Sequence, residues 1–404
     1  MFLSKVLQDL AFSSAGKPGV VRNEAGTKSI QFFSTCPEAW GGSEELWAGA
    51  ARRLARSGYQ VTANLSYYAP EQPQIVQLIE SGVRLEKYRG IPFIRRYHGF
   101  SGRWEPALTR ARLKATQPQL AIVSQGENMD GHPQVLYCRE LGIPYVIICQ
   151  KAKEDHCPMD EHREKLRQSF VRAERVFFVS RHNREITEER LGQKLSNAEV
   201  VWNPFNVDFQ PDLAWPELDG GRFRLACVAR LWLRDKGQDI LLKILAQEKW
   251  RSRPVEVYFY GLGLNAIALA EQAKMLGLTQ VHFAGFEPHV MEIWRQNHLL
   301  ILPSRSEGLP LALVEAMLCG RPSIVTNAGG NAEVLDDEES GFLARAATVE
   351  AFDEAMERAW NRRAEWQKIG MNASRLVRKK VPEDPCAIFA DKLEAIYRNV
   401  ATRK

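Results

Sequence analysis

The fold of this 404-residue chain is decided by one stretch, Leu302-Pro-Ser-Arg-Ser-Glu-Gly-Leu-Pro-Leu-Ala-Leu-Val-Glu-Ala-Met-Leu-Cys-Gly-Arg-Pro322. A short apolar run ends at Pro303, a loop carries Glu307, and Pro310 suits the first turn of a helix. A strand, a loop and a helix in this order are typical of a parallel sheet, whose ligands bind beyond the carboxyl ends of its strands. Glu307 is therefore predicted in that loop, and Glu315 two turns into the helix.

The start of this helix is predicted to bind an anion. The backbone amides of Leu309 and Leu311 lie there, and the helix dipole adds positive potential. A carboxylate beside a bound anion is not its ligand, so Glu307 and Glu315 are interpreted as acceptors of hydrogen bonds from hydroxyls. Hydroxyls beside a phosphate indicate a nucleotide sugar. For either glutamate alone, an ordinary ion pair is the alternative.

Short apolar runs alternate with amphipathic stretches along the chain, which is typical of strands and helices in parallel sheets. Strands are predicted at 29–33, 61–66, 120–124, 145–149 and 176–180, and again at 223–228, 255–260, 281–284, 299–303, 323–326 and 341–344. The stretch 203–221, with three prolines and a glycine pair, is the most linker-like. We predict an α/β chain of two doubly wound, Rossmann-like domains, 1–205 and 206–383, followed by a closing helix in 384–404.

The composition excludes several classes of protein. With 45% hydrophobic and 25% charged residues, the chain is typical of soluble globular proteins and unlike disordered, collagen-like or small disulfide-bonded ones. No run approaches the ~20 consecutive apolar residues of a membrane span. The N-terminus lacks a secretory signal pattern, and seven scattered cysteines without a Cys-x-x-Cys pair indicate reduced core residues. A cytoplasmic location is expected.

The segment around Glu307 and Glu315 closely resembles the Glu-x7-Glu motif of retaining glycosyltransferases with the GT-B fold, in particular family 4. The spacing is made specific by Pro-Ser-x-x-Glu-Gly-x-Pro before it and Glu-Ala-Met-x-x-Gly-x-Pro after it, and then by Ala328-Gly-Gly-Asn-Ala-Glu-Val-Leu335 and Ser340-Gly-Phe-Leu343. The resemblance implies two domains facing across a cleft, with the C-terminal helix returning to the first. It also implies that Glu307 contacts the donor sugar and Glu315 the ribose hydroxyls.

A second motif, Cys227-Val-Ala-Arg-Leu-Trp-Leu-Arg-Asp-Lys-Gly-Gln-Asp239, follows the first predicted strand of the second domain. It resembles the family's Arg-Leu…Lys-Gly-x-Asp signature, which implies that Arg230 and Lys236 bind the donor diphosphate. Fixed cations there would stabilise the negative charge that a leaving nucleotide gains. Arg230, Lys236 and Glu307 are therefore the predicted catalytic residues.

Further donor contacts are predicted on both sides of the cleft. Gly41 and Gly42 resemble the family's Gly-Gly-x-Glu loop, which faces the donor phosphates, and Phe286 lies in a stretch that resembles the one meeting the nucleobase. Gly261 follows a strand, but Ala266 at the third glycine position argues against a nicotinamide site. The full set of predicted donor-binding residues is Gly41, Gly42, Gly261, Phe286, Gly308, Leu309, Leu311 and Glu315.

The acceptor side of the first domain departs from the family pattern. Many members carry a histidine at the end of the strand before the acceptor pocket, and Ser124 stands at that point here. His132 could reach back from the following turn, and Glu127 or Asp130 could contact the acceptor. Neither the histidine spacing nor an Asp-x-Asp motif indicates a metal site. No metal or cofactor is expected beyond the nucleotide-diphosphate sugar as co-substrate.

The net charge of +5 is concentrated in segment 84–114, where nine Lys and Arg residues face two Glu residues. Aromatic side chains are interleaved with these cations, a combination that suits an anionic membrane surface. The hypothesis is that this segment borders the acceptor site and favours an acidic or membrane-borne acceptor, which would place the protein peripherally on the inner face of the membrane. A solvated basic loop and helix is the alternative, and nucleic acid is not expected as a partner.

The resemblance implies hexosyltransferase-like transfer of a sugar, with retention of anomeric configuration and without a metal. The acceptor would be a saccharide or lipid-linked hydroxyl in cell-surface polysaccharide or glycolipid synthesis, and the leaving phosphate would take its proton. A sugar phosphorylase, a nucleotide-sugar epimerase and a non-catalytic nucleotide-sugar binding subunit remain alternatives.

Overall fold

The computed structural model describes residues 28–36, 40–66, 68–87 and 104–403, which form two parallel β-sheets. The first sheet contains β1 (Ser29–Ser34), β2 (Gln60–Leu65), β3 (Arg84–Lys87), β4 (Leu120–Gln125), β5 (Tyr145–Cys149), β6 (Arg175–Phe178) and β7 (Ala198–Val200). Its order is β3-β2-β1-β4-β5-β6-β7, and every neighbouring pair is parallel.

The second sheet contains β8 (Phe223–Val228), β9 (Val255–Tyr260), β10 (Val281–Gly285), β11 (Leu299–Leu302), β12 (Ser323–Thr326) and β13 (Phe342–Ala344). Its order is β10-β9-β8-β11-β12-β13, again parallel throughout. The strand order reverses between β1 and β4 in the first sheet and between β8 and β11 in the second. Ligands of open parallel sheets bind beside these reversals, at the carboxyl edge.

Helices connect the strands. They are α1 (Gly42–Arg56), α2 (Pro73–Glu80), α3 (Trp104–Thr116), α4 (His132–Glu140), α5 (Asp160–Val171), α6 (Arg181–Leu191), α7 (Leu233–Lys236), α8 (Gln238–Leu245), α9 (Glu248–Arg251), α10 (Ala266–Met275), α11 (Val290–Gln296), α12 (Leu311–Leu318), α13 (Asn331–Val334), α14 (Val349–Asn361), a 3-10 turn (Arg363–Glu365), α15 (Trp366–Lys380) and α16 (Pro385–Ala401). Within the described ranges, no helix combines the length and the apolar character that a bilayer crossing needs.

The predicted α/β class, with two doubly wound parallel-sheet domains, is confirmed. Each of the predicted strands is present, with its ends within two residues of the expected ones. Two strands were not predicted, the polar β3 and the three-residue β7, which occupy the two edges of the first sheet. Edge strands pair on one side only and often carry charges that prevent further pairing, so they lack a continuous apolar run.

The C-terminal helix α16 returns to the first domain, as predicted. Phe389 packs edge-on against Phe177 with ring centroids 5.1 Å apart, and Tyr397 packs against Tyr59 at 5.0 Å. These side chains belong to the same buried cluster as Leu46 of α1. Burying these side chains against the first sheet stabilises the packing of α16 on the first domain.

Candidate functional site

The carboxyl edges of the two sheets meet across a narrow cleft. The loop after β11 approaches the end of β5 so closely that a Cβ atom built on Gly308 would lie 2.0 Å from the carbonyl oxygen of Gln150. At the start of α1, a Cβ atom on Gly42 would lie 2.9 Å from Cδ1 of Leu311. Glycine permits both approaches because it has no side chain.

Glu307 and Lys236 form a buried ion pair at the carboxyl edge of the second sheet. Both carboxylate oxygens of Glu307 accept hydrogen bonds from Lys236 Nζ at 2.7 Å, and Glu307 is 5% exposed. Lys236 ends α7, where Gly237 adopts the left-handed conformation. Glu307, predicted to contact the sugar, is thus hydrogen-bonded to Lys236, one of the two residues predicted to bind the diphosphate. An ammonium has three N–H donors, so one remains for another acceptor.

Arg230, Gly261 and Phe286 lie in neighbouring loops after β8, β9 and β10. Gly261 has φ +136°, and a Cβ atom on it would lie 2.2 Å from the carbonyl oxygen of Ala229. The amide of Gly261 donates to the carbonyl of Gly285 at 2.7 Å, so the three loops pack backbone to backbone. Arg230 and Phe286 both expose their side chains on this edge. These three predicted residues therefore share one surface.

Glu315 is buried in α12 and contacts the linker between the domains. Its Oε1 accepts from the backbone N and from Nδ2 of Asn206, at 2.9 and 3.0 Å. Burial raises the pKa of Glu315 above its ordinary value, although these hydrogen bonds oppose the shift. The helix begins at Leu311 because Pro310 has extended backbone. Glu315 consequently lies little more than one turn from its start, rather than the predicted two.

The Glu307 loop is braced from behind by the turn at Gly329 and Gly330. The amide of Gly330 donates to the carbonyl of Gly308 at 2.6 Å. Gly329 has φ +56°, and a Cβ atom there would lie 2.3 Å from the carbonyl oxygen of Glu307. Leu309 is 6% exposed in this loop, immediately before the start of α12. The turn holds Gly308, Leu309 and the amides that follow them at the face of the cleft.

Gly41 and Gly42 open α1 on the opposite face of the cleft, and Glu44 follows in the first turn. Glu44 is 2% exposed, and Trp47 Nε1 donates to its Oε2 at 3.0 Å. Burial of the carboxyl is the largest influence and raises the pKa of Glu44 to about 7, against the opposing effect of its hydrogen bonds. The Gly-Gly loop is therefore anchored by a carboxyl group that resists ionisation.

Glu44→Gln is expected to reduce the loss of stability above neutral pH. Because the pKa is raised in the folded state, Glu44 contributes full stability below the pKa of the unfolded chain and loses it as the pH rises through about 7. Between pH 5 and pH 8, the unfolding free energy of the variant should gain about 2 to 3 kcal/mol relative to wild type. Urea unfolding at both pH values measures this difference. An equal change in the unfolding free energy of the two proteins between pH 5 and pH 8 would refute the raised pKa of Glu44.

The acceptor-side candidates lie at the carboxyl edge of the first sheet but make separate contacts. Ser124 is buried, and its Oγ has no hydrogen-bond partner among the described residues. Asp130 accepts from Thr35 Oγ1 at 2.6 Å, and burial raises its pKa to about 6. His132 Nδ1 lies 3.2 Å from Ser169 Oγ, so the His132 ring forms a hydrogen bond with a residue of α5.

A cluster of charges that sequence reasoning missed spans the cleft. Lys151 Nζ lies 2.6 Å from Asp235 Oδ2, and Lys153 Nζ lies 3.7 Å from Asp235 Oδ1 and 2.5 Å from Glu127 Oε1. Burial opposes ionisation of Asp235, but the hydrogen bond from Lys151 and the nearby lysine charges outweigh it and lower the pKa of Asp235. Asp235 directly precedes Lys236, so the cluster joins the first domain to the ion pair of the second.

A second contact across the cleft was also missed. Glu333 of α13 accepts from the backbone amides of Arg181 at 3.0 Å and His182 at 2.8 Å, in the first turn of α6. A carboxylate is favourable at a helix N-terminus because the dipole is positive there. For the charge cluster, the sequence features available were Lys151-Ala152-Lys153 after β5 and Asp235 beside Lys236. Neither feature indicates which charges of the two domains pair with each other.

No group of three or more His, Cys, Asp or Glu side chains is arranged to hold a metal ion within the described parts of the chain. The cysteines are free, and five of them are buried.

Two facing parallel-sheet domains with this connectivity define the GT-B class of folds, and comparison with solved structures agrees. The chain matches Anabaena HepE, solved in complex with UDP-glucose, with a TM-score of 0.70 at 19% identity over 91% of this chain and 99% of that one. It matches a sucrose-phosphate synthase from Thermosynechococcus elongatus with a TM-score of 0.70 at 17% identity, over 93% of this chain and 100% of that one.

Within that class, residues 222–362 match the family model described as Glycosyl transferases group 1. This match lies in the second domain, and the predicted resemblance to family 4 glycosyltransferases fits it. Arg230, Lys236, Glu307 and Glu315 all lie within the matched residues.

Curated relatives are similar over shorter stretches. Identity is 27% over 137 residues with a putative glycosyltransferase EpsD of Bacillus subtilis, covering 34% of this chain and 36% of that protein. It is 35% over 95 residues with an Escherichia coli UDP-Gal:alpha-D-GlcNAc-diphosphoundecaprenol alpha-1,3-galactosyltransferase, covering 24% of each. It is 25% over 175 residues with a glycogen synthase of Pseudomonas syringae, covering 43% of this chain and 36% of that one. The matches thus span less than half of each of these relatives.

Proposed function

We propose that the protein transfers a sugar from a nucleotide-diphosphate sugar to an acceptor hydroxyl, with retention of anomeric configuration. The observation that carries this proposal is the buried Glu307–Lys236 pair at the carboxyl edge of the group 1 domain. Relatives named as a galactosyltransferase and a glycogen synthase support sugar transfer. Structural neighbours solved with UDP and UDP-glucose support a nucleotide sugar as the donor.

Each residue of the pair has a role in this proposal. Lys236 donates its remaining N–H to the donor diphosphate, together with Arg230, and both stabilise the charge of the leaving group. Glu307, held by Lys236 Nζ, accepts a hydrogen bond from a hydroxyl of the donor sugar. Glu315 accepts from the ribose, in exchange for one of its bonds to Asn206. The departing phosphate takes the proton of the acceptor, so the reaction requires neither a protein nucleophile nor a metal.

The donor is enclosed by both faces of the cleft in this proposal. The loops after β8 to β10 hold the nucleotide, and the start of α12 meets the phosphates through backbone amides. We assign these contacts to Gly41, Gly42, Gly261, Phe286, Gly308, Leu309 and Leu311. On the first domain, Ser124, Glu127, Asp130 and His132 remain the acceptor-side candidates.

A thermal-shift panel of uridine, guanosine and adenosine diphosphates and their sugars tests the donor proposal. A ligand that binds only the folded state raises Tm, so one base series should stabilise the chain. Lys236→Ala should weaken diphosphate binding about 10-fold or more, because a hydrogen bond to a charged group is lost. No shift with any member of the panel would contradict the proposal.

The same ligands separate the alternative activities. Diphosphate binding without slow donor hydrolysis would favour a non-catalytic binding protein, and phosphate-dependent release of sugar phosphate would favour a phosphorylase. Recovery of the donor with an inverted sugar hydroxyl would favour an epimerase.

We also propose an acidic or membrane-borne acceptor in polysaccharide or glycolipid synthesis, with the protein peripheral on the cytoplasmic face. The support is the basic segment 84–114, of which residues 88–103 lie outside the described ones. In the described part, Arg84 and Arg112 lie 3.3 and 3.5 Å from Glu86, and Arg110 lies 2.9 Å from Glu140. These pairs neutralise part of the charge, so a membrane contact would fall mainly to the cations of 88–103.

Vesicle sedimentation tests whether the protein binds an anionic membrane. The full chain should sediment with vesicles that contain anionic lipid more strongly than with neutral phosphatidylcholine vesicles, and the difference should fall as salt screens the charges. Equal binding to both vesicles at moderate salt would remove the membrane proposal and leave a solvated basic segment.

A further inference from the structure

A pocket of about 350 Å³ opens on the second domain, away from the cleft. Small-molecule sites typically have volumes of about 300 to 1,000 Å³. The pocket is formed by β8, β9, β10 and the turn before β8, and its lining includes Asp219, Arg222, Arg224, Glu256, Tyr258 and His282. Glu256 lies about 17 Å along β9 from Gly261 of the proposed donor site, at a rise of about 3.3 Å per residue. We call this separate site the Tyr258 pocket.

One wall of the Tyr258 pocket is a stack of three planar groups. The guanidinium carbon of Arg224 lies 4.0 Å from the ring centroid of Tyr258, and the ring of His282 stacks on Tyr258 at 4.6 Å. Arg224 and His282 belong to the strands on either side of β9, so Tyr258 lies between them. Because β10 is an edge strand of the described sheet and the His282 side chain is 41% exposed, this ring is accessible to a ligand.

Three polar groups of the pocket are available to a ligand. Within the described ranges, the Tyr258 hydroxyl makes no hydrogen bond, and the Asp219 carboxylate makes neither a hydrogen bond nor an ion pair. Arg224 donates from Nη2 to Gln296 at 3.3 Å, whereas its Nη1 donates to none of the residues described. A carboxylate accepts, a guanidinium donates and a phenol does both. The pocket therefore offers both donors and acceptors.

The charges of the Tyr258 pocket balance. Two guanidinium groups, of Arg222 and Arg224, face the two carboxylates of Asp219 and Glu256. Glu256 is already engaged, since it accepts from Arg222 Nη1 at 2.7 Å and lies 2.5 Å from Nε2 of His282. An anion would meet the carboxylates and a cation the guanidinium groups. A neutral ligand with several hydroxyls avoids both repulsions, because each hydroxyl donates one hydrogen bond and accepts others.

We propose that the Tyr258 pocket binds a neutral sugar unit of a saccharide chain, apart from the donor sugar in the cleft. The C–H face of the sugar ring packs on His282, Asp219 accepts from one hydroxyl, and Tyr258 and Arg224 donate to others. Glu256 is a positioning residue, which holds His282 in the stack. A chain held here stays near the cleft, which raises its effective concentration there. Only the origin of the chain, as acceptor or product of transfer, rests on the proposed function.

Saturation-transfer difference NMR of the full chain tests this pocket, with neutral tetrasaccharides of glucose, galactose, mannose and N-acetylglucosamine as probes. At least one should bind wild type, and Lys236→Ala should retain that binding. Asp219→Ala should weaken it about 10-fold or more, and Tyr258→Phe about 3- to 10-fold, because each removes a hydrogen bond but leaves the stack. Glu292→Ala is the matched control, since Glu292 is an exposed carboxylate of α11 that pairs with Arg295 at 3.0 Å.

Two results would overturn the inference. One is the absence of binding by all four tetrasaccharides, or binding that Asp219→Ala and Tyr258→Phe both retain. The other is stronger binding of tetragalacturonate that is lost in Arg222→Gln, which would mean an acidic ligand. The proposed function fails independently of these results. If the nucleotide sugar is cleaved while the pocket variants bind like wild type, the pocket fails alone. If the variants lose the saccharide but no nucleotide sugar is bound or cleaved, the pocket stands without transfer.

Discussion

Glu307→Gln is expected to lower kcat for sugar transfer by about 100- to 1000-fold, with little change in the affinity for nucleoside diphosphate. The amide keeps the shape of the side chain but removes the charge that holds Lys236 through two hydrogen bonds of 2.7 Å. Losing one oriented polar group from a closed site typically costs this much in the chemical step. Steady-state kinetics together with diphosphate binding separate the two quantities.

A matched control for this change is Asp353→Asn. Asp353 also accepts from a lysine, Lys249, at 2.6 Å, but it lies in α14, outside the cleft. This variant should lose some stability and keep its kcat. Wild-type kcat in Glu307→Gln would remove Glu307 from the catalytic machinery, whereas a large loss in Asp353→Asn would mean that breaking any such pair disturbs the fold.

Gly308→Ala is expected to prevent the two domains from closing. A methyl group would lie 2.0 Å from the carbonyl oxygen of Gln150 and 2.9 Å from Cγ2 of Val179, both in the other domain. A backbone carbonyl cannot move aside as the end of a flexible side chain can, so the loop and the first domain must separate. Displacing catalytic groups by about 1 Å can cost about 100-fold in rate. We therefore expect a loss of at least that size.

Small-angle X-ray scattering measures the closure directly. The Gly308→Ala protein should have a larger radius of gyration than wild type, with unchanged far-UV circular dichroism. Gly126→Ala provides the control, because the nearest atom to a Cβ built there is 3.7 Å away, so the radius should not change. A compact and active Gly308→Ala protein would show that the cleft does not need the close approach of these two loops.

The parts of the site that could be predicted are those encoded locally. Glu307 and Lys236 each follow a strand of the second sheet, and short motifs around them indicated their place at the carboxyl edge. What sequence did not indicate is that the two side chains pair with each other, because 71 residues separate them. Their roles as ligands of the sugar and the diphosphate stay predictions.

The contacts between the domains could not be predicted for a similar reason. Asp235 meets Lys151 across 84 residues, and Glu333 meets the first turn of α6 across 151. Surface charges are common in any chain, and only the docking of one domain on the other selects these partners. The edge strand β3 was not predicted for a different reason. Three of its four residues are charged, so it lacks the apolar run by which strands were predicted.

The most direct test of the central claim is 1H NMR of the anomeric proton while the full chain acts on the nucleotide sugar that the thermal-shift panel selects. We predict cleavage of the donor and a first-formed product with the same anomeric configuration as the donor. A product with the inverted configuration, or a donor that stays intact under conditions where its nucleoside diphosphate binds, would contradict a retaining glycosyltransferase built on Glu307 and Lys236.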